Sequence, residues 1–254
     1  MMTRYQVWLN GQGLHDISDA IWITDIQEKA PELDVVSMRR PMRDGTLVLA
    51  RTRSQMEVTI VMQIRAYDIA QRKEIMQQVN AWARAGGDLS TSDRPGQRLR
   101  VLHKPSALAS ALKWTDKVMI SFIAYGIPFW EESNPAHVAV TGQGTYELRP
   151  VGTAHDTRLT AEITATSNIN TLTITANGQT LRLTNIPLST GSTLVIDYDA
   201  SGLLVMRVGN VPVLSKRTPE SSDEIIIPQN KTTAVTIGAD GGFTGKLIAR
   251  GRFE

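Results

Sequence analysis

At 254 residues, 41% of them hydrophobic and 20% charged, the chain has room for two globular domains of about 100–150 residues each. A net charge of +2, with neither half in excess, excludes the basic stripe that duplex nucleic acid binding demands, and the absence of cysteine excludes disulfides and thiolate metal sites. No run approaches the roughly 20 apolar residues of a membrane span, and Met1-Met2-Thr3-Arg4-Tyr5-Gln6 lacks the apolar core of a signal peptide, so the expectation is a soluble protein made in a reducing cytoplasm, with no membrane insertion.

Tyr5-Gln6-Val7-Trp8-Leu9 followed by Asn10-Gly11 reads as a strand entering a tight turn, and Ile21 to Ile26 as a second strand. Leu33 to Arg40 and Thr46 to Arg53 flank Pro41-Met42-Arg43-Asp44-Gly45, a turn sequence, and together predict a hairpin. Arginines gather on it: Arg39, Arg40, Arg43, Arg51 and Arg53. Two readings stand for them. They make a solvated edge that discourages aggregation, or a charged arm that clasps a neighbouring subunit.

Gln55 to Arg65 alternates cleanly, with Met56, Val58, Ile60, Met62 and Ile64 on one face. Asp68 then stands three residues before Gln71, the spacing of a helix cap. The period changes to helical over about 69–85, with Ile75, Met76, Val79, Trp82 and Ala83 inward, Arg72 mostly outward, and Gly86-Gly87 as the stop. One amphipathic helix among strands must lay its apolar stripe on a sheet. Asp88–Thr91 and Gln97–Leu102 flank a turn at Ser92-Asp93-Arg94-Pro95-Gly96, and Val118 to Ala124 is another strand. Trp114, just before it, is expected in a core or an interface.

Tyr125-Gly126-Ile127-Pro128-Phe129-Trp130-Glu131-Glu132-Ser133-Asn134-Pro135 then breaks the pattern. No tryptophan follows Trp130, and the composition shifts to Thr, Ile, Leu, Gly and Asn. Pro128, Phe129 and Trp130 are expected to form a packed joint, dividing the chain into residues 1–132 and 133–254. After it, short β-prone segments at Val138–Thr141, Leu159–Ala165, Thr171–Ala176, Gln179–Thr184, Thr193–Asp197, Leu203–Val208, Glu224–Ile227, Thr232–Ile237 and Lys246 to Phe253 alternate with turns, the pattern of an antiparallel sandwich or barrel. A type I′ turn at Asn177-Gly178 predicts Ile174 opposite Leu181, Leu172 opposite Leu183, Thr175 opposite Thr180 and Thr173 opposite Arg182.

Chemistry is sparse. His15, His103, His137 and His155 are far apart, and no phosphate loop, nucleophile elbow or dinucleotide fingerprint is present. Asp197-Tyr198-Asp199-Ala200-Ser201-Gly202 begins like a calcium loop, but Val208 stands where the bidentate glutamate belongs, so it reads as a turn between strands. Asp197 and Asp199 are the only close carboxylate pair on an expected strand end, the pair a sandwich hydrolase would use. A carbohydrate-binding module for attachment to a host surface is the alternative to a structural role, with Tyr146, Tyr198, Phe243 and Phe253 as its aromatics. No cofactor, metal or catalytic residue is expected.

In the order of its features the chain resembles the distal tail proteins of long-tailed, non-contractile bacteriophages. The likeness rests on Val7-Trp8-Leu9-Asn10-Gly11, on the helix bearing Arg72 and ending Ala81-Trp82-Ala83, and on Asp93-Arg94-Pro95-Gly96-Gln97 leading into a strand. Phe122-Ile123-Ala124-Tyr125 running into Pro128-Phe129-Trp130-Glu131, ahead of a β-rich half, completes it. The resemblance implies a mainly β, non-enzymatic protein: an N-terminal β domain with one helix packed on it, then a C-terminal galectin-like antiparallel sandwich. It further implies a hexameric ring at the virion tail tip, assembled in the host cytoplasm. Its partners would be the tail tube protein, a tail-associated hub protein and receptor-binding or tail-fibre proteins, with DNA only as passing cargo. The chain is too short to carry the inserted carbohydrate-binding module of some such proteins.

Overall fold

A computed structural model describes residues 5–39, 46–105, 117–124, 126–199 and 202–254, with backbone alone at 33, 38, 39 and 46–52. Strands hold 55% of the residues and helices 10%, so the protein is mainly β. Contacts divide it into two compact units, Met1–Phe129 and Trp130–Glu254.

The first unit contains β1 (Val7–Leu9), β2 (Gln12–Gly13), α1 (Leu14–Ile17), β3 (Ile21–Lys29), β4 (Leu33–Arg39), β5 (Thr46–Arg53), β6 (Met56–Ile64), α2 (Ile69–Arg84), β7 (Gly87–Thr91), β8 (Gln97–Lys104) and β9 (Val118–Ala124). Its main sheet runs β2-β1-β7-β8-β9-β6-β3, while β4 and β5 form a separate ribbon. The alternation of β6 continues across the ladder. Val58 lies opposite Phe122, Ile60 opposite Ile120 and Met62 opposite Val118, all buried. Onto this apolar face α2 lays Trp82, whose ring meets Phe122 edge-on at 5.9 Å and whose Nε1 donates to the Gln12 carbonyl at 3.0 Å.

The helix starts where expected, because the Asp68 side chain accepts from the Gln71 backbone N–H at 2.7 Å. Arg72 differs from expectation. It is buried with Ile75, Met76 and Val79 rather than facing solvent, since its long stem belongs to the inward stripe. The chain also makes a short helix that the sequence pattern does not show. Asp16 accepts from the Gly13 N–H at 2.8 Å and so closes α1 over a single turn. Asn10 and Gly11 take positive φ values of 52° and 82°. The Asn10 side chain then ties the turn to the Gly86 carbonyl and the Asp88 N–H. Trp114 and Tyr125 lie outside the described residues.

The second unit contains β10 (Trp130–Glu132), β11 (His137–Val140), β12 (Gly144–Leu148), β13 (Asp156–Ala165), β14 (Ile169–Ala176), β15 (Gln179–Leu188), β16 (Thr193–Tyr198), β17 (Leu204–Val208), β18 (Val211–Pro212), β19 (Ile226–Pro228), β20 (Thr233–Ala239), β21 (Phe243–Ala249) and β22 (Arg252–Phe253). One sheet runs β11-β21-β13-β16-β17-β18, with β19 beside β13, and the other runs β12-β20-β14-β15. Their inner faces share one core, including Ile163, Leu172, Ile174, Leu183, Leu194, Val235, Ile237, Phe243 and Leu247. The Asn177-Gly178 hairpin has the expected register at all four pairs, and its turn residues have φ of 49° and 75°.

Candidate functional site

The β4–β5 ribbon belongs to the first unit. Among the described residues β4 and β5 pair only with each other, with a bulge between Val36 and Ser37. Asp34, Val35, Val36 and Ser37 are consecutive and all exposed, Val35 at 46% and Val36 at 55%. In a strand these residues alternate faces, so β4 is exposed on both sides at Asp34, Val35 and Val36. A lone two-stranded ribbon is marginal in water. Its root is fixed: Ser54 N–H donates to the Glu32 carbonyl and Glu32 N–H to Ser54 Oγ, both at 2.9 Å.

The five arginines separate along this ribbon. Arg53 sits at the root, its guanidinium 5.5 Å over the Phe129 ring. Arg51 lies opposite Val35 and Arg39 opposite Thr46 in the ladder, while Arg40 and Arg43 fall outside the described residues.

Strand β3 ends the main sheet. Ile21 and Ile23 are buried in its first half and Trp22 and Thr24 half-buried, whereas Asp25, Gln27 and Lys29 are exposed. The Asp93-Arg94-Pro95-Gly96-Gln97 turn braces it, because Arg94 forms a two-pronged ion pair with Glu28 at 2.8 and 2.7 Å. Ile26, Glu28, Asp93, Arg94, Pro95 and Gln97 line an open cleft there. Lys29, Ala30, Glu32, Ser54, Gln55 and Glu57 line another at the ribbon's root.

Of the expected joint residues, Pro128 and Trp130 are buried and Phe129 is half-buried. Trp130 and Glu131 do not turn as their sequence suggests. They form β10, opposite Phe253 and Arg252 of β22. The partner strand comes from the far end of the chain, which is why a local reading misses it. Arg252 Nε donates to Glu131 Oε1 at 3.0 Å, with both side chains almost fully buried. Glu132 holds the same segment, accepting from Gly251 N–H and, through its carbonyl, from Arg250. A Cβ on Gly251 would run into the Val151 carbonyl, and one on Gly152 into that of Arg252.

The remaining candidates for chemistry have structural employment. Asp197 accepts from the Tyr198 N–H and Asp199 from the Leu203 N–H, closing the β16–β17 turn. Val208 is buried in β17. Tyr198 and Phe243 face the core, at 5% and 2% exposure, and are closed to a stacking sugar. Burial pushes the Tyr198 hydroxyl up to about 12, against the Arg158 guanidinium 5.0 Å from its ring. His103 is lowered by burial first and by Arg84 second. Among the described residues no three His, Asp or Glu side chains converge as a metal site. The small cavity lined by Leu159, Ile174, Tyr198 and Ile225 holds about 10 Å³, the size of one water.

No protein-family model and no curated protein sequence matches the chain. Solved structures do. The Dit protein of phage SPP1, described as a paradigm of the hub adsorption apparatus in Gram-positive-infecting phages, superposes with a TM-score of 0.70 at 13% identity, over 99% of this chain and 100% of that one. The chain has the Dit hub fold. Chains of the phage p2 baseplate in its activated conformation match it with TM-scores of 0.58 with strontium and 0.55 with calcium, at 5% and 7% identity over 97% and 98% of this chain. At such identities the Dit fold is carried by strand order and pairing, and it covers both units, the resemblance already drawn from the sequence.

Proposed function

We propose that this protein is a structural distal tail protein that forms a hexameric ring at the phage tail tip. The ring joins the tail tube to the baseplate or tail-fibre apparatus and leaves a lumen for DNA. The observation that carries this reading is the correspondence with the SPP1 Dit hub along the whole of both chains.

The physical chemistry agrees. A closed ring is a heterologous contact, so each copy must offer two different, complementary surfaces. Among its described residues the first unit offers a separate two-stranded ribbon with exposed Val35 and Val36. The near-neutral charge, +2 over the whole chain, suits a lumen through which DNA slides without being held. In this reading residues 1–132 build the ring, and residues 133–254 form the outer platform on which receptor-binding or tail-fibre proteins dock. The ribbon arginines Arg39, Arg40, Arg43, Arg51 and Arg53 serve the subunit interface, and the protein performs no catalysis. Assembly takes place in the host cytoplasm.

Gold-labelled antibody against the protein, applied to intact particles in the electron microscope, tests the placement. Label confined to the distal end of the tail is expected. Label along the tail, on the capsid or only on unassembled material would refute it.

A further inference from the structure

We infer that Tyr67, with Ile69 beside it, is a knob that enters the groove between α1 and the C-terminal part of α2 on the next copy of this chain. The inference rests on the ring reading above and adds to it a head-to-tail contact made by the two ends of one helix.

Tyr67 is 93% exposed, more than any other large apolar side chain among the described residues, and Ile69 is 45% exposed. A lone exposed apolar residue is ordinary, but these two are held outward on a fixed backbone. Between them Asp68 caps α2, accepting from the Gln71 N–H at 2.7 Å. The Gln71 side chain accepts in return from the Tyr67 N–H at 2.9 Å. The knob is therefore ordered before a partner arrives, which spares the contact the entropy of ordering it.

The other end of the same helix carries the complementary shape. Ile17, Ala81, Trp82 and Ala85 give apolar lining to an open groove of about 600 Å³, and Asp16 and Gln78 give it polar groups. Trp82 is fixed there by its bond to the Gln12 carbonyl. A tyrosine suits such a seat, because its ring is apolar and its hydroxyl needs a partner once buried. The Asp16 carboxylate and the Gln78 amide supply acceptors. Within one copy the two parts cannot meet, since Ala81 stands twelve residues beyond Ile69, about 18 Å along the helix axis. A second copy brings them together. Charge agrees. Exposed Asp68 travels with the knob, and exposed Arg84 stands beside Ala85 in the last turn of α2, so the approach sets an acid against a base. Knob and groove are different surfaces, so the contact is heterologous and repeats from copy to copy, as a closed ring requires.

Two full-length variants test this contact. Tyr67→Ser removes the knob and keeps the groove, whereas Ala81→Trp fills the groove and keeps the knob. Both positions are exposed, so the melting temperature should stay in place. Gln78→Trp, also exposed, is a second way to fill the groove. In analytical ultracentrifugation each variant alone should need about tenfold or more protein to assemble, the effect of losing a central aromatic anchor. At a concentration where neither assembles alone, an equal mixture should give a one-to-one dimer, the intact knob of one variant seated in the intact groove of the other. Variants that assemble at the parent's concentration, or a mixture that gives no such dimer, would overturn the inference and leave the ring standing. A parent chain that stays monomeric at every concentration would remove the ring and the knob contact together.

Discussion

Removing one member of the Glu131–Arg252 pair should unfold the second unit far more readily than removing both. The two side chains are 7% and 6% exposed and their atoms lie 3.0 Å apart. At an effective dielectric of about 20 their attraction is about 5 kcal/mol, and the desolvation of both ions offsets most of it. Deleting either partner alone leaves the other charge buried without compensation, an effect of about 3–5 kcal/mol. Glu131→Leu and Arg252→Met should each lose that much, whereas the double variant should fall within about 1–2 kcal/mol of the parent. Urea unfolding of the full chain gives the free energies. The relevant transition is identified by Trp130, the one tryptophan of the second unit, with Trp130→Phe as control. Single variants within about 1 kcal/mol of the parent, or a double variant as unstable as the sum of the singles, would refute this account of how the unit is closed.

Three further outcomes follow from the same structure. Asp68→Ala removes the cap of α2 and should lower stability by about 1 kcal/mol in denaturant titration. In alkaline spectrophotometric titration Tyr198 should ionise late, near 12. Because its folded pKa is raised, the stability it contributes is complete below the ordinary tyrosine value of about 10 and is lost as pH rises from there through about 12; a Tyr198→Phe variant should lack that alkaline loss. Reversing charge in the ribbon with Arg39→Glu and Arg51→Glu should reduce the assembled fraction and leave the melting temperature in place. A fall in melting temperature with assembly kept would return the ribbon to the monomer's own fold.

Much of the fold is legible wherever a short stretch decides its own conformation. Asn177-Gly178 fixes a hairpin register because positive φ at both turn residues leaves one pairing. Asp68 starts α2 through a bond three residues away. The alternation of Met56 to Ile64 names the core face of β6. What stays hidden depends on distant partners. Trp130-Glu131-Glu132 reads as a turn until Arg252 arrives more than a hundred residues later. Arg72 reads as solvated because its charge masks an apolar stem. Tyr198 and Phe243 read as available aromatics, yet their strands turn them inward. At the candidate site the sequence shows the arginine-rich hairpin but places Arg53 with the rest, while the structure seats it over Phe129 at the root.

The central claim is that one copy of this chain is incomplete and that a closed ring of copies completes it. Native mass spectrometry of the purified full chain tests this most directly. The account predicts a discrete species at about six times the 27.9 kDa monomer, or twice that if two rings stack. A single monomeric mass at high protein concentration, unchanged when tail-tube and baseplate components are added, would contradict it.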